Sequence, residues 1–297
     1  MKNSVHLGSH LIGGIAAGIV ALTAFNANAN AADYKLVENG KLTVAFNGDM
    51  PGTSLEGDKL IGVDGEIMQL VAERMGLTVE PALMEWSAEI ASVKSGRVDI
   101  MHGMMGWRES RAEVMSLSDP IYYFRATIAQ KEDSDMCKLS ELENKSVATI
   151  TGFSWVDELK SIPGLKLKLY DTSDAAMRDL VTGRVDALLA DPPLVQYAIT
   201  QNPDWGVHQK AFCEDENADY PQLTSAGNTI FAANIDNPEL IDAVNETIAE
   251  LWEDCSIRDI GAKYGLTDDH WFDPGPSNQR AGVDRPADWK QPNCANK

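Results

Sequence analysis

The sequence predicts an α/β protein whose two halves are each built on a mainly parallel sheet flanked by helices. Stretches with apolar residues at alternate positions recur between stretches with helical spacing of apolar residues. The phrase Gly-Arg-Val-Asp occurs at 96–99 and again at 183–186, each time where a predicted helix ends and a predicted strand begins. Repeated β-α-β units of this kind give parallel sheets with helices on their faces.

In the first half, KLTVAF alternates apolar and polar residues and predicts a strand. GEIMQLVAERMG follows as a helix that stops at Gly76, and LTVEPAL predicts a second strand. A short helix is predicted in SAEIASVKSG, with Ser87 as its N-cap and Gly96 as its stop. A third strand then opens at Val98.

The second half repeats this order. KSVATI predicts a strand, and a turn then leads into the helix WVDELKS, with Ser154 as the expected N-cap. LKLKLY predicts a strand and SDAAMRDLVTG a helix that stops at Gly183. VDALLA is the third strand, and Asp191 behind it is the expected N-cap of a proline-initiated helix. An amphipathic helix pair follows from Asn237, and the tail from residue 272 is expected to wrap the surface without regular structure.

The composition excludes some classes of function and the N-terminus indicates export. A net charge of −20 argues against binding to nucleic acid or to anionic membranes. Residues 11–25 are apolar but too short to span a bilayer, and Ala-x-Ala motifs follow at 27–29 and 29–31. Residues 1–31 are therefore predicted to be a cleaved signal peptide, and the mature chain to be periplasmic.

The four cysteines are Cys137, Cys213, Cys255 and Cys294. An even number in an exported chain favours disulfides, and three connectivities are open. No Cys-x-x-Cys spacing indicates zinc or redox chemistry, so we expect no metal and no cofactor. His102 has no second histidine nearby in the sequence, which argues against a catalytic or metal-binding role.

Several phrases, taken in order, resemble a known family. They are IGVDGEIMQLVAERMGL, SVKSGRVDIMHGMMGWRESRAEVMSLSDPIYY, KSVATITG, LVTGRVDALLAD and the closing helix pair. The chain resembles the periplasmic amino-acid-binding proteins of ABC transporters, which are solute-binding proteins of family 3 with the type II periplasmic-binding fold.

The resemblance implies two lobes joined by two crossing strands, with a cleft that closes on one small molecule. It places lobe one at 32–125 and 227–297 and lobe two at 126–226. Sorting the cysteines by lobe then implies the pairs Cys137–Cys213 and Cys255–Cys294. The implied function is capture of a small ligand by a monomer that delivers it to an ABC transporter permease, without catalysis.

The resemblance also implies which residues bind the ligand. Arg111 matches the family arginine, whose guanidinium can bind a carboxylate through two hydrogen bonds. Asp191 matches the aspartate that receives an α-amino group, although an N-cap role would also explain it. Ser154 matches a hydroxyl residue at a helix N-terminus, where plain capping is the alternative. Trp86 and Met50 fall at positions that form apolar walls, with core packing as the alternative for both.

One segment departs from the family. Where the family carries serine or threonine hydroxyls before the arginine, this chain has HGMMGW. The backbone at Gly103 and Gly106 could still bond a ligand, since glycine permits close approach, and Met104 could add an apolar wall. Because a polar amino acid would lose hydroxyl partners here, we hypothesise a larger, more apolar or modified ligand that carries a carboxylate and a cationic nitrogen.

Two other functions use the same fold. One is an exported enzyme similar to cyclohexadienyl dehydratases; no additional acid has a motif that places it in the cleft, and Glu85, beside Trp86, is the candidate left open as the general acid. The other is a ligand-sensing partner of a membrane receptor. Turnover of prephenate would select the enzyme, and loss of a signalling response with uptake intact would select the sensor.

Overall fold

The computed structural model describes residues 34–267 and 269–294. The signal peptide predicted at 1–31 lies outside these residues. Within the described ranges, no helix is both long enough and apolar enough to cross a membrane.

The predicted strands and helices are present, with further short strands between them. The strands are β1 (Lys41–Phe46), β2 (Ser54–Glu56), β3 (Lys59–Ile61), β4 (Thr78–Leu83), β5 (Ile100–Met101), β6 (Met115–Leu117), β7 (Tyr122–Phe124), β8 (Thr127–Lys131), β9 (Ser146–Ile150), β10 (Lys166–Tyr170), β11 (Ala187–Leu188), β12 (Val207–Ala211), β13 (Gly227–Thr229) and β14 (Ala232–Asn234). The helices are α1 (Val63–Arg74), α2 (Trp86–Lys94), α3 (Glu109–Ala112), α4 (Val156–Ser161), α5 (Ser173–Val181), α6 (Pro192–Gln201), α7 (Pro221–Thr224), α8 (Pro238–Glu253) and α9 (Ser256–Lys263).

Two five-stranded sheets share one plan. The first has the order β4-β1-β5-β14-β6 and the second has the order β10-β9-β11-β8-β12. In each sheet the three strands predicted from the β-α-β repeats pair in parallel. Two further strands join each sheet through β14 or β8, which runs antiparallel to the other four strands, so each sheet is mixed but mainly of one strand direction.

A two-stranded antiparallel ribbon connects the sheets. The chain leaves the first sheet after β6, passes through β7 and enters the second sheet at β8. It returns through β13, which pairs with β7, and rejoins the first sheet at β14. This is the two-lobed arrangement with two crossing strands. We call the half on the first sheet lobe one and the half on the second sheet lobe two; the boundaries near 125 and 227 stay a prediction.

Apolar side chains of each sheet pack against helices. In lobe one, Leu42 and Val44 of β1 are fully buried together with Ile67 of α1 and Val244 of α8. The apolar stripe predicted for α8 is buried along its length, at Leu240, Ile241, Val244, Ile248, Leu251 and Trp252. Burial of a large aliphatic side chain contributes about 1.5–3 kcal/mol, so these contacts hold the helices on the sheet.

The structure corrects two predicted helix caps. Helix α2 begins at Trp86 with Glu85 at the N-cap, so Ser87 lies inside the first turn and is exposed. Helix α4 begins at Val156 with Trp155 at the N-cap, so Ser154 precedes the helix and does not cap it. The N-cap of α2 thus lies two residues before Ser87, and that of α4 lies one residue after Ser154. Trp86 and Trp155 are both buried, and their packing outweighs the local serine signal.

Two disulfides occur among the described residues. Cys137 bonds Cys213 with Cα atoms 5.3 Å apart, and Cys255 bonds Cys294 with Cα atoms 6.0 Å apart. These are the pairs that the resemblance implies. The tail forms no long element, but it does more than wrap the surface, because Arg280 within it is fully buried.

Candidate functional site

The site lies where residues that follow the carboxyl ends of strands in both sheets come together. All the predicted ligand-binding residues except Met50 line one inner cavity with about 10 Å³ of free space, roughly enough for one water. The residues that line it are Trp86, Gly103, Met104, Met105, Gly106, Arg111, Phe153, Ser154, Trp155 and Asp191. Ligands of open α/β sheets bind at this end of the strands, as the two Gly-Arg-Val-Asp phrases indicated.

Arg111 joins the two lobes. It lies on α3, is 4% exposed, and donates from Nη1 to the carbonyl of Gly106 in lobe one. Its Nη2 donates to the carbonyl of Gly152 in lobe two at 2.5 Å. Its guanidinium carbon lies 5.7 Å from the ring centroid of Trp86. Burial lowers the pKa of Arg111 to about 9, and the positive charge of Arg108 adds to this, so a buried anion here would be stabilised.

Asp191 supplies the opposite charge. It occupies the N-cap position of α6, but its side chain makes no capping hydrogen bond. Burial raises its pKa well above the usual value, the negative charges of Asp49 and Asp64 raise it further, and Arg111 opposes them. A cationic group next to Asp191 would therefore relieve both the burial of its charge and the repulsion.

Close packing explains the glycines of HGMMGW. A Cβ on Gly103 would lie 3.1 Å from Oδ1 of Asn47, and the φ of 143° also favours glycine there. A Cβ on Gly106 would lie 3.0 Å from Cζ of Phe124 and 3.2 Å from Oγ of Ser154. Gly106 thus lets the lobe-one segment approach lobe two closely.

The backbone of this segment is largely committed within the protein. Asp64 accepts a hydrogen bond from the backbone N–H of Met104 at 2.5 Å. The hydroxyl of Tyr122 donates to the other oxygen of Asp64 at 2.7 Å. Burial nevertheless raises the pKa of Asp64 to about 6. The backbone N–H of Met104 is therefore committed to Asp64, whereas ligand binding by the backbone of Gly103 and Gly106 stays a prediction.

The hydroxyls missing from HGMMGW are supplied by lobe two. Ser154 lines the inner cavity from the opposite side. An outer cavity of about 310 Å³ shares Trp86 and Phe153 with the inner one, and both Thr172 and Ser173 line it. A polar ligand in either cavity would therefore meet hydroxyl groups of lobe two, and the hypothesis of an apolar or modified ligand stays a prediction.

The outer cavity is acidic. Its lining residues are Asn47, Asp49, Glu85, Trp86, Ile150, Phe153, Asp171, Thr172, Ser173, Asp174 and Arg178. Asp49 accepts from the hydroxyl of Ser173 at 3.4 Å and from the side-chain amide of Asn47 at 3.0 Å. Burial raises the pKa of Asp49 to about 6, and the carboxylates of Asp174 and Glu85 contribute to the rise. Four carboxylates against one arginine favour a cationic group in this space.

Other predicted or buried residues lie outside the two cavities. Met50 is half-buried and lines neither of them. His102 is fully buried, with Nε2 3.0 Å from Oγ1 of Thr53, and burial lowers its pKa to about 3, so it stays neutral. Glu89 on α2 is also fully buried, and neither carboxylate oxygen has a hydrogen-bond partner among the described residues. In the part of the chain that the structure describes, no cluster of three or more potential metal ligands occurs.

Of the acids in the outer cavity, sequence reasoning named only Glu85, although the same signal was available for the others. Asp49 follows the carboxyl end of β1, Glu85 that of β4, and the residues from Asp171 onward that of β10. The rule that pointed to Arg111 and Asp191 therefore applies equally to these positions. Asp64 had no such signal, because it lies inside α1 and its burial depends on contacts from distant residues.

The fold and the cleft define a two-lobed solute-binding architecture, and comparison with known proteins agrees. Residues 42–267 match the family described as bacterial extracellular solute-binding proteins, family 3. The chain belongs to this family.

Curated relatives and solved structures match over most of their length. The L-cystine-binding protein TcyJ of Escherichia coli (strain K12) is 26% identical over 269 residues, which cover 87% of this chain and 96% of that relative. The probable amino-acid-binding protein YxeM of Bacillus subtilis (strain 168) is 24% identical over 84% of this chain and 92% of its own. The structure of an ancestral arginine-binding protein bound to glutamine has a TM-score of 0.67 at 25% identity and covers 77% of this chain and 99% of its own.

Proposed function

We propose that the protein captures an amino acid with a cationic side chain in its inter-lobe cleft and delivers it to an ABC transporter permease. In this proposal Arg111 binds the α-carboxylate, Asp191 binds the α-amino group, and the side-chain cation enters the acidic outer cavity near Asp49. The protein acts as a periplasmic monomer and catalyses no reaction. The main support for this proposal is that Trp86 lines both the inner cavity, which contains the buried guanidinium of Arg111, and the acidic outer cavity.

Charge complementarity supports this ligand class. The buried guanidinium of Arg111 can offer two parallel N–H groups to a carboxylate, which fixes the orientation of the ligand as well as its charge. Burial, followed by repulsion from Asp174 and Glu85, raises the pKa of Asp49, and a second cationic centre on the ligand would neutralise these carboxylates. An apolar ligand would leave these acids without a partner at a cost of about 1–3 kcal/mol for each buried group.

The geometry also supports capture by closure. Arg111 contacts lobe two through the carbonyl of Gly152, and Asp49 contacts it through Ser173. A ligand carboxylate would replace a backbone carbonyl as the acceptor for Arg111 and keep the lobes connected. Hinge closure of two lobes around a ligand is a common way to exclude water and strengthen such ion pairs.

The relatives are named for amino acids, which supports the broader class of ligand. TcyJ is named for L-cystine, and ArtP of Bacillus subtilis (strain 168), which is 24% identical over 70% of this chain, for arginine. The solved ancestral protein is named for arginine and contains glutamine. Within this range, the acidic outer cavity favours a basic amino acid over a neutral one.

A thermal-shift screen of protein that has been unfolded and refolded tests the proposal, because refolding removes carried-over ligand. L-arginine or L-lysine, at about 100 times the dissociation constant, is expected to raise the melting temperature by about 5 °C or more. Arg111→Lys should abolish the rise in melting temperature, because an ammonium group cannot offer the two parallel N–H groups of a guanidinium. The neighbouring Arg108→Lys should keep the rise. A shift with L-cystine alone would refute the basic-ligand proposal.

Two outcomes would favour the alternative functions. Release of product from prephenate would identify an enzyme, with Glu85 in the outer cavity as the acid to test. Normal uptake of the ligand after deletion of the protein, with loss of a ligand-dependent response, would identify a sensor.

A further inference from the structure

The C-terminal segment, residues 273–294, lies beyond the residues that match the family. It carries no named helix or strand within its described residues. It nevertheless contains Arg280, which is 0% exposed and is among the largest fully buried side chains of the chain. A buried cation is costly unless it is fully paired, so its surroundings call for a reason.

The guanidinium of Arg280 is paired on every side. Its Nε and Nη2 donate to the two carboxylate oxygens of Asp284 at 3.1 and 2.7 Å. Its Nη1 donates to the carbonyl of Ser118 at 2.7 Å. Its guanidinium carbon lies over the rings of Trp107 and Trp289, 5.8 and 5.6 Å from their centroids. Lysine cannot reproduce this geometry, in which two N–H groups bond the two oxygens of one carboxylate while the guanidinium lies over aromatic rings.

This cluster reaches the ligand site through Trp107. The indole Nε1 of Trp107 donates to Oδ2 of Asp284 at 3.0 Å, so Asp284 bonds Arg280 and Trp107 together. The backbone N–H of Trp107 donates to the carbonyl of Asn228 at 2.8 Å. Trp107 directly follows Gly106, whose carbonyl accepts from Arg111. The cluster thus fixes the short segment that leads into α3 and carries Arg111.

The C-terminal segment, residues 273–294, is itself bonded to both crossing strands and to lobe one. The hydroxyl of Tyr123, on crossing strand β7, donates to the carbonyl of Pro292 at 2.6 Å. The side chain of Asn228, on crossing strand β13, donates to Oε1 of Gln291 at 3.4 Å. The segment ends at Cys294, which is bonded to Cys255. The C-terminal segment that carries Arg280 is therefore attached to the two crossing strands, and Arg280 contacts Trp107 from this fixed position.

We propose that Arg280 is a positioning residue for ligand capture: acting through Asp284 and Trp107, it holds the 105–112 segment so that Arg111 faces the cleft. The inference rests on the proposed role of Arg111. It assigns a part in binding to a segment that lies outside the family match.

The test compares Arg280→Lys with Arg285→Lys in the full mature chain. Arg285 lies in the same segment, donates from Nε to Asp119 at 2.7 Å, and has its guanidinium carbon 5.8 Å from the ring centroid of Trp289. Its Nη1 also lies 3.5 Å from Oδ2 of Asp284, and a lysine can keep this ion pair. Titration with L-arginine, well below the melting transition, gives the affinity. Amide hydrogen exchange of residues 105–112, measured without added amino acid, gives the order of the segment.

Arg280→Lys should weaken L-arginine binding roughly tenfold and speed exchange at 105–112, while Arg285→Lys changes neither by more than about twofold. Trp107→Phe removes the indole donor and should have the same effect. Both substitutions break the same chain of contacts from Arg280 through Asp284 to Trp107. The double variant should therefore bind L-arginine no more weakly than the single variant that has the lower affinity.

A merely structural role would lower the melting temperature of Arg280→Lys and leave its affinity and its exchange at 105–112 unchanged, and that result would overturn the proposal. If the wild-type protein binds no L-arginine, the proposed ligand is wrong. The exchange measurement then decides the positioning role by itself, since it needs no ligand.

Discussion

Replacing Gly106 with alanine is expected to weaken ligand capture while leaving both lobes folded. The added Cβ would lie 3.0 Å from Cζ of Phe124 and 3.2 Å from Oγ of Ser154. The ring of Phe124 cannot retreat easily, because it also packs against Gly227, where a Cβ would come within 2.4 Å of it. The φ of Gly106 lies outside the left-handed region, so alanine adds no backbone strain and the effect comes from packing.

The size of the effect follows from the cost of overpacking. An added methyl in a tightly packed contact typically costs about 1–3 kcal/mol. Ser154 lies in lobe two and Gly106 in lobe one, so opening the cleft relieves this contact. The cost therefore acts against closure, and affinity should fall by about 5- to 150-fold.

Calorimetric titration with L-arginine measures the loss, and the melting temperature checks the fold. Phe124→Leu in the Gly106→Ala background should recover part of the affinity, because the smaller side chain leaves space for the new methyl. Phe124→Leu alone serves as the control. Unchanged affinity in Gly106→Ala would show that the two lobes do not approach at Gly106 in the ligand-binding state, and the reasoning would fail.

Three further changes probe the charges and the cross-link. Because the pKa of Asp49 is raised to about 6, L-arginine affinity should fall as pH drops through 6, and Asp49→Asn should bind more weakly than the wild type and show a smaller fall in titrations from pH 5 to 8. Burial raises the pKa of Glu89 in the folded protein, so the free energy of unfolding falls as pH rises above the pKa that Glu89 has in the unfolded chain. Glu89→Gln should therefore raise the melting temperature by at least about 2 °C at pH 8 and leave it unchanged at pH 4. Replacing Cys255 and Cys294 by serine opens a loop with a sequence separation of 39 and should lower the free energy of unfolding by about 4 kcal/mol, measured by denaturant titration.

Local patterns account for the part of the fold that sequence could predict. Alternation, helical spacing and glycine stops are short-range signals, and they placed the parallel strands of each sheet. Because parallel strands share one direction, their carboxyl ends meet at one edge. This is why Arg111 and Asp191, far apart in sequence, line the same cavity. The antiparallel strands β14 and β8 carry no comparable signal, since they enter the sheets from the crossing ribbon.

The rest depends on contacts between residues that are distant in sequence. Arg280 is buried because Asp284, Ser118 and Trp107 surround it, and only Asp284 is close to it along the chain. Asp64 is buried under Met104 in the same way. The serine caps failed because a neighbouring tryptophan gains more by burial than the cap contributes.

The most direct test of the proposed binding mode is calorimetry of the refolded protein with L-arginine, agmatine and L-citrulline at neutral pH. Agmatine lacks the carboxylate that Arg111 is proposed to bind, and L-citrulline lacks the side-chain charge that the acidic cavity is proposed to select. L-arginine should bind at least about tenfold more tightly than either analogue. Equal affinity for L-citrulline would contradict the role of the acidic cavity, and equal affinity for agmatine would contradict the role of Arg111.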